Sequence, residues 1–228
     1  MNHAAAALPP DHDDGVARQK LTRRAASGST PAVLAEILQD DINIAIWERD
    51  LNSALAEQVQ RLLAANPRYE SSFSAAPVNA RSRIDDALGN GDYPALADDI
   101  AALVTQFGEL LSLKSINVHM ATSVRATCPR FHVDMLRCRL LTTYQGDGTE
   151  WLPHGMVNRS KLGSGSGGKP DLESGLFESP SEIQRLSRGD VALLKGERWQ
   201  GNANGGLVHR SPDVPDGVRL LLTLDIAR

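Results

Sequence analysis

The segment FHVDMLRCRLLTTYQGDGTEW, Phe131 to Trp151, decides how this chain is read. It places His132 two residues before Asp134, at the head of a run that reads as a core strand. Residues i and i+2 of a strand project from one face, so this spacing aims an imidazole and a carboxylate at a common point. Two metal ligands are presented in this way, and a third must come from elsewhere.

The other histidines are His3, His12, His119, His154 and His209. Only His209 lies late in the β-rich half, on the short segment GLVHRS after a Gly-rich turn. Two histidines and one carboxylate form the facial triad of non-haem Fe(II) sites, which leaves coordination positions open for substrate and oxygen. Arg219 follows His209 by ten residues and opens the last strand-like segment. There its planar fork is suited to grip a carboxylate, or to pair with Asp216 or Asp225.

Upstream, the pattern is helical. Thr30-Pro31 starts a short helix, Ile42 to Trp47 reads as a strand, Asp50 caps a helix running to Asn66, and Pro94 opens a long amphipathic helix. Residues 67–92 read as loop, with a helical turn at Arg83 to Leu88. After Ser115 the apolar period changes to two, with Gly, Pro, Asn and Asp between the strands. Helices first and strands last predict an α+β domain: a double-stranded β-helix (jelly-roll, cupin-like) barrel with an N-terminal helical layer. "DGT" reads as the turn of a hairpin between the Leu140 strand and EWLP. Residues 158–175 read as a flexible loop within a single domain spanning 31–228, and residues 1–30 as a disordered tail whose His12, Asp13 and Asp14 are solvated.

The balance of 24 basic and 28 acidic residues, formal charge −4, contains no long block of one sign. Nucleic acid and acidic membranes are therefore not expected as partners, and small neutral or anionic ligands stay open. Cys128 and Cys138 cannot make a disulfide framework, and no apolar run approaches the ~20 residues a bilayer span requires. A cytoplasmic location fits. The two cysteines lie within eleven residues of each other, with His132 and Asp134 between them, so a zinc site that includes a thiolate stays open, although the Cys-x-x-Cys spacing is missing. His119 and His154 read as packed or solvated, and Trp151 and Trp199 as core or pocket wall.

These features resemble the Fe(II)/2-oxoglutarate-dependent oxygenases. Their His-x-Asp pair, distant His and following Arg are matched by His132, Asp134, His209 and Arg219. The resemblance implies a metal centre on the first three residues and 2-oxoglutarate held by Arg219, with Tyr144, Thr142 or Thr223 offering a second hydrogen bond to the co-substrate. It also implies hydroxylation of a substrate that the sequence does not name. More narrowly, CPRFHVD, CRLLTTYQGDGTEWLP and HRSP are similar to a bacterial family, domain of unknown function 1826. Gene context associates that family with zinc-responsive loci, so a non-catalytic zinc protein of metal homeostasis is the alternative.

Overall fold

A computed structural model describes residues 22–215 and 217–227. His3, His12, Asp13, Asp14 and Asp216 lie outside the described residues. Ten strands and three α-helices are described. Strands β1 (Arg24–Gly28), β2 (Ile42–Trp47), β3 (Glu70–Ala75), β4 (Ile116–Ser123), β5 (Cys138–Gln145), β8 (Val191–Lys195) and β10 (Arg219–Ile226) form a seven-stranded sheet. Its order is β1-β2-β8-β5-β10-β4-β3, antiparallel except for β1 against β2. Strands β6 (Glu150–Leu152), β7 (Gln184–Arg185) and β9 (Val208–Arg210) make a second sheet ordered β7-β6-β9.

Alternation along the strands separates two environments. Cys138, Leu140 and Tyr144 of β5 and Leu220, Leu222 and Leu224 of β10 share one core cluster with residues of α1 (Ser53–Ala65), α2 (Ala80–Leu88) and α3 (Pro94–Leu110). The helical stripe Leu96, Ile100, Leu103, Val104 and Phe107 meets this face. Each such side chain contributes about 1.5–3 kcal/mol by leaving water. The other face of the large sheet gives Ile44, Ile46, Leu141, Ala192 and Leu194 to a smaller cluster, where Leu186, Leu207 and Trp151 meet them from around the second sheet. Phe131, Leu152, Leu176, Phe177 and Val208 form a third cluster, which packs the 153–183 connection on the outer side of the second sheet.

Several expectations change. Arg24–Gly28, expected to be disordered, add a parallel strand to β2. The short helix expected after Thr30 is a 3-10 helix over Pro31–Leu38, and the Thr30 side chain makes no cap bond. Helix α1 starts at Ser53, because Asn52 Oδ1 accepts the Leu55 N–H at 2.9 Å, so Asn52 and not Asp50 is the N-cap. The expected loop 67–92 contains β3 and α2. ESSFSA is too polar to read as a core strand, and it forms one as the sheet edge beside β4. Residues 158–175 are not a free loop: they fold into 3-10 turns, and Ser166, Asp171 and Ser174 are buried. β5 and β6 do not pair as a hairpin, since Gln145 ends in one sheet and Glu150 begins the other. The turn between them is tight: a Cβ on Gly148 would lie 1.9 Å from Leu186 O, so only glycine passes there. No described helix is long and apolar enough to cross a membrane.

Candidate metal centre

His132 does not sit in a regular strand. It forms an isolated antiparallel bridge with His209, each backbone N–H donating to the other's carbonyl at 3.0 Å. The chain then bends before β5 begins at Cys138. Asp134 nevertheless reaches both rings: its Oδ1 is 3.6 Å from His132 Nε2 and its Oδ2 is 3.6 Å from His209 Nε2. The three ligand atoms lie within 4.8 Å of one another, and the ring centroids are 4.6 Å apart. His209 is buried, Asp134 is nearly so, and the His132 side chain is 35% exposed, so the cluster opens on the His132 side.

The ring tautomers follow from the hydrogen bonds. His132 Nδ1 lies 3.0 Å from Arg130 O and His209 Nδ1 lies 3.2 Å from Leu207 O. A carbonyl only accepts, so each Nδ1 donates and each Nε2 presents a lone pair. Two lone pairs and a carboxylate therefore converge, which is unfavourable unless a cation lies between them. Burial pushes His209 down to about 4, so it stays neutral. Burial would raise Asp134, but His132, His209 and Arg139 outweigh it and hold the carboxyl at about 2. The Asp134 carboxylate raises His132, against the opposing pull of burial. Two bare imidazole nitrogens and a carboxylate within 4.8 Å of one another are a donor set that fits a divalent metal.

Arg139 fixes the carboxylate. Its Nη1 donates to Asp134 Oδ2 at 2.8 Å, while Nε and Nη2 grip Asp225 at 2.8 and 2.7 Å. Sequence reading missed this residue. The one signal was parity, since Arg139, Leu141 and Thr143 share a face of β5. Asp225, considered as a partner for Arg219, belongs to Arg139 instead.

Arg219 is 1% exposed. Its Nε donates to Asp147 O at 2.8 Å, and its Nη2 donates to Thr149 Oγ1 at 2.9 Å and Thr143 Oγ1 at 3.2 Å. Among the described residues no carboxylate pairs with it, and burial pulls its pKa down to about 10. Thr143 belongs to the β5 face that carries Arg139. Thr149 precedes Trp151 by two residues, and Trp151 is the cross-strand neighbour of His209. The guanidinium therefore lies between the two sheets, on the side the triad faces.

Tyr144 and Thr142 do not join this site. Tyr144 is packed in the helix-facing core and its hydroxyl donates to Asp99 Oδ2 at 2.6 Å, while Thr142 Oγ1 donates to Gly189 O at 3.3 Å. Tyr144 shares the parity of Cys138 and Leu140, which face the helices, and the β5–β10 register skips it, pairing Thr143 with Leu221 and Gln145 with Leu220. Thr223, on the same face as Arg219, is buried. Cys138 faces the helices, Cys128 is exposed, and neither belongs to the ligand cluster. The cysteine-containing zinc site is thereby set aside. Trp151 lines a cavity of about 620 Å³ with Ile46, Leu186 and Gln184, whereas Trp199 packs on the helix-facing core. His119 Nδ1 is 2.7 Å from Ser72 Oγ and His154 lies beside Arg159, both outside the cluster.

Fold and site together define an α+β protein with a two-histidine, one-carboxylate cluster between two sheets. Over residues 28–225 the chain matches, and belongs to, the family described as "Protein of unknown function (DUF1826)". No curated protein matches it by sequence. Among solved structures, the rice dioxygenase for auxin oxidation is 12% identical with a TM-score of 0.48, covering 90% of this chain and 82% of that one. A Pseudomonas putida prolyl-4-hydroxylase is 12% identical with a TM-score of 0.45 over 86% and 97% of the chains. HygX from Streptomyces hygroscopicus with nickel and 2-oxoglutarate bound is 13% identical, with a TM-score of 0.46 over 86% of each. Likenesses this faint carry no argument about this chain.

Proposed function

We propose that this protein is a non-haem Fe(II) oxygenase using 2-oxoglutarate, built on a double-stranded β-helix. The observation that carries the reading is a buried guanidinium whose partners are all neutral, on the same side of the sheets as three converging metal ligands. Burying a cation without an anion is costly, so Arg219 is poised for a carboxylate that the described residues do not supply. His132, Asp134 and His209 would hold the metal. Fe(II) with 2-oxoglutarate would supply the oxidising chemistry of hydroxylation.

The residues have separable tasks. Arg139 keeps Asp134 ionised and oriented, and the carbonyls of Arg130 and Leu207 hold both imidazoles with Nε2 bare. Thr143 and Thr149 hold Arg219, where their hydroxyl oxygens leave the positive charge to be met by an incoming carboxylate. The surrounding Leu141, Leu207 and Trp151 exclude water, which strengthens that pairing.

The test is anaerobic purification followed by Fe(II)-dependent conversion of 2-oxoglutarate to succinate, comparing the native chain with His132→Ala and Arg219→Ala. The expected result is turnover that needs both residues, with Arg219→Ala acting mainly through 2-oxoglutarate KM. Tight zinc binding through His132 and His209, with neither turnover nor 2-oxoglutarate binding, would establish the non-catalytic zinc reading instead.

A further inference from the structure

We propose that Asp171 is a positioning residue for His132, acting through the single peptide group between Arg130 and Phe131; as a statement about a metal ligand, this rests on the reading above. The Phe131 N–H donates to Asp171 Oδ2 at 2.9 Å. The carbonyl of that same peptide unit, Arg130 O, accepts from His132 Nδ1 at 3.0 Å. A peptide unit is planar and conjugated, so an anion on its N–H end enriches its carbonyl oxygen and makes that oxygen the stronger acceptor. Carboxylate, peptide and imidazole form one line, the role a carboxylate plays directly behind many metal-binding histidines.

The two histidines differ in their need for such support. His209 lies in β9, and Leu207 O, two residues back, orients its ring. His132 lies outside the regular strands, held by one bridge and open to solvent on one side. Asp171 compensates from 40 residues beyond Phe131. It is itself buried and fixed: Ser174 Oγ donates to its backbone carbonyl at 2.7 Å, and the Leu176 N–H does so at 3.3 Å. Its Oδ1 pairs with the Arg130 guanidinium at 3.2 Å and its Oδ2 lies 3.7 Å from Arg210, which follows His209 in β9. Arg210 in turn lies 4.4 Å from the centroid of the Phe131 ring and donates to Glu150 Oε2 at 2.7 Å. The 158–175 segment is thus a brace for the ligand that the sheets hold least.

The experiment uses the full chain, metal-free at pH 8, with long-range ¹H–¹⁵N correlation of the histidine rings, followed by Co(II) titration read by its d–d absorption. The native protein is expected to show His132 with the proton on Nδ1. Asp171→Ala should mix the tautomers and weaken Co(II) binding about tenfold. Asp171→Asn, which keeps a neutral acceptor for the Phe131 N–H, should fall between. Native tautomer and native Co(II) affinity in Asp171→Ala would overturn the inference; if that variant does not fold, the same result in Asp171→Asn overturns it. A His132 tautomer that follows Asp171 in a chain that binds no Co(II) would uphold the relay and sink the metal reading.

Discussion

Strands β5 and β10 carry two chemistries on their two faces. Toward the helices they present Cys138, Leu140, Tyr144, Leu220, Leu222 and Leu224 in one packed cluster. Toward the second sheet they present Arg139, Thr143, Arg219 and Asp225, bound into networks that reach Asp134, Asp147 and Thr149. Neighbouring residues, 3.3–3.4 Å apart along the strand, thus serve stability on one side and the candidate site on the other. A slip of one residue would exchange the two.

If that division is real, substitutions should separate cleanly. The largest effect on folding belongs to Leu222→Ala, fully buried on the helix face, at about 2–5 kcal/mol in urea unfolding, with Co(II) affinity of the folded fraction unchanged. Loss of metal affinity in step with stability would break the comparison. On the opposite face, Arg139→Ala leaves Asp134 and Asp225 without their shared partner. Calorimetry with Co(II) should show affinity falling ten- to a hundredfold, about 1.4–2.7 kcal/mol, and Arg139→Lys should recover part of it.

The pH dependence of stability tests the apolar face. Burial pushes the Cys138 thiol from an ordinary 9.0 up to about 12. The sign follows: this contribution is complete below pH 9, where both states keep the proton, and is lost as pH rises toward 12, because the unfolded thiol ionises first. Chemical unfolding of the native chain should therefore weaken across that window, and Cys138→Ala should flatten the slope. An unchanged slope would place the thiol in contact with water. The smallest and sharpest comparison is between adjacent hydroxyls. Thr143→Val should weaken 2-oxoglutarate binding a few-fold by loosening Arg219, while Thr142→Val should leave it unaltered.

The error over Tyr144 and Thr142 shows where local reading stops. All the hydroxyls of "LLTTYQ" are visible in the sequence, but which of them meets Arg219 depends on which face of β5 packs on the helices and on its pairing with a strand some 80 residues later. Arg139 went unrecognised for the same reason: an arginine in a strand reads as a surface residue until Asp134 and Asp225 arrive from either side. Likewise β3 is too polar to read as a strand, because an edge strand owes its place to a neighbour rather than to its own apolar pattern.

By itself the sequence determined the period-two pattern of the second half, the helical stripes of α1 and α3, the choice of His132, Asp134 and His209 as residues that converge, and membership of the family. The periodicities and the His132–Asp134 pair depend on residue type and short spacing, which are local properties, and His209 was singled out by residue type and its place among the late strands. Tertiary structure alone decided that His132 bridges His209 outside a regular strand and that Arg139 holds Asp134. It also decided that Arg219 is buried among neutral partners and that Asp171 stands behind the His132 peptide. Those contacts depend on pairing and burial between segments far apart in the chain, where the cost of an unpaired charge is set by surroundings that no local pattern encodes.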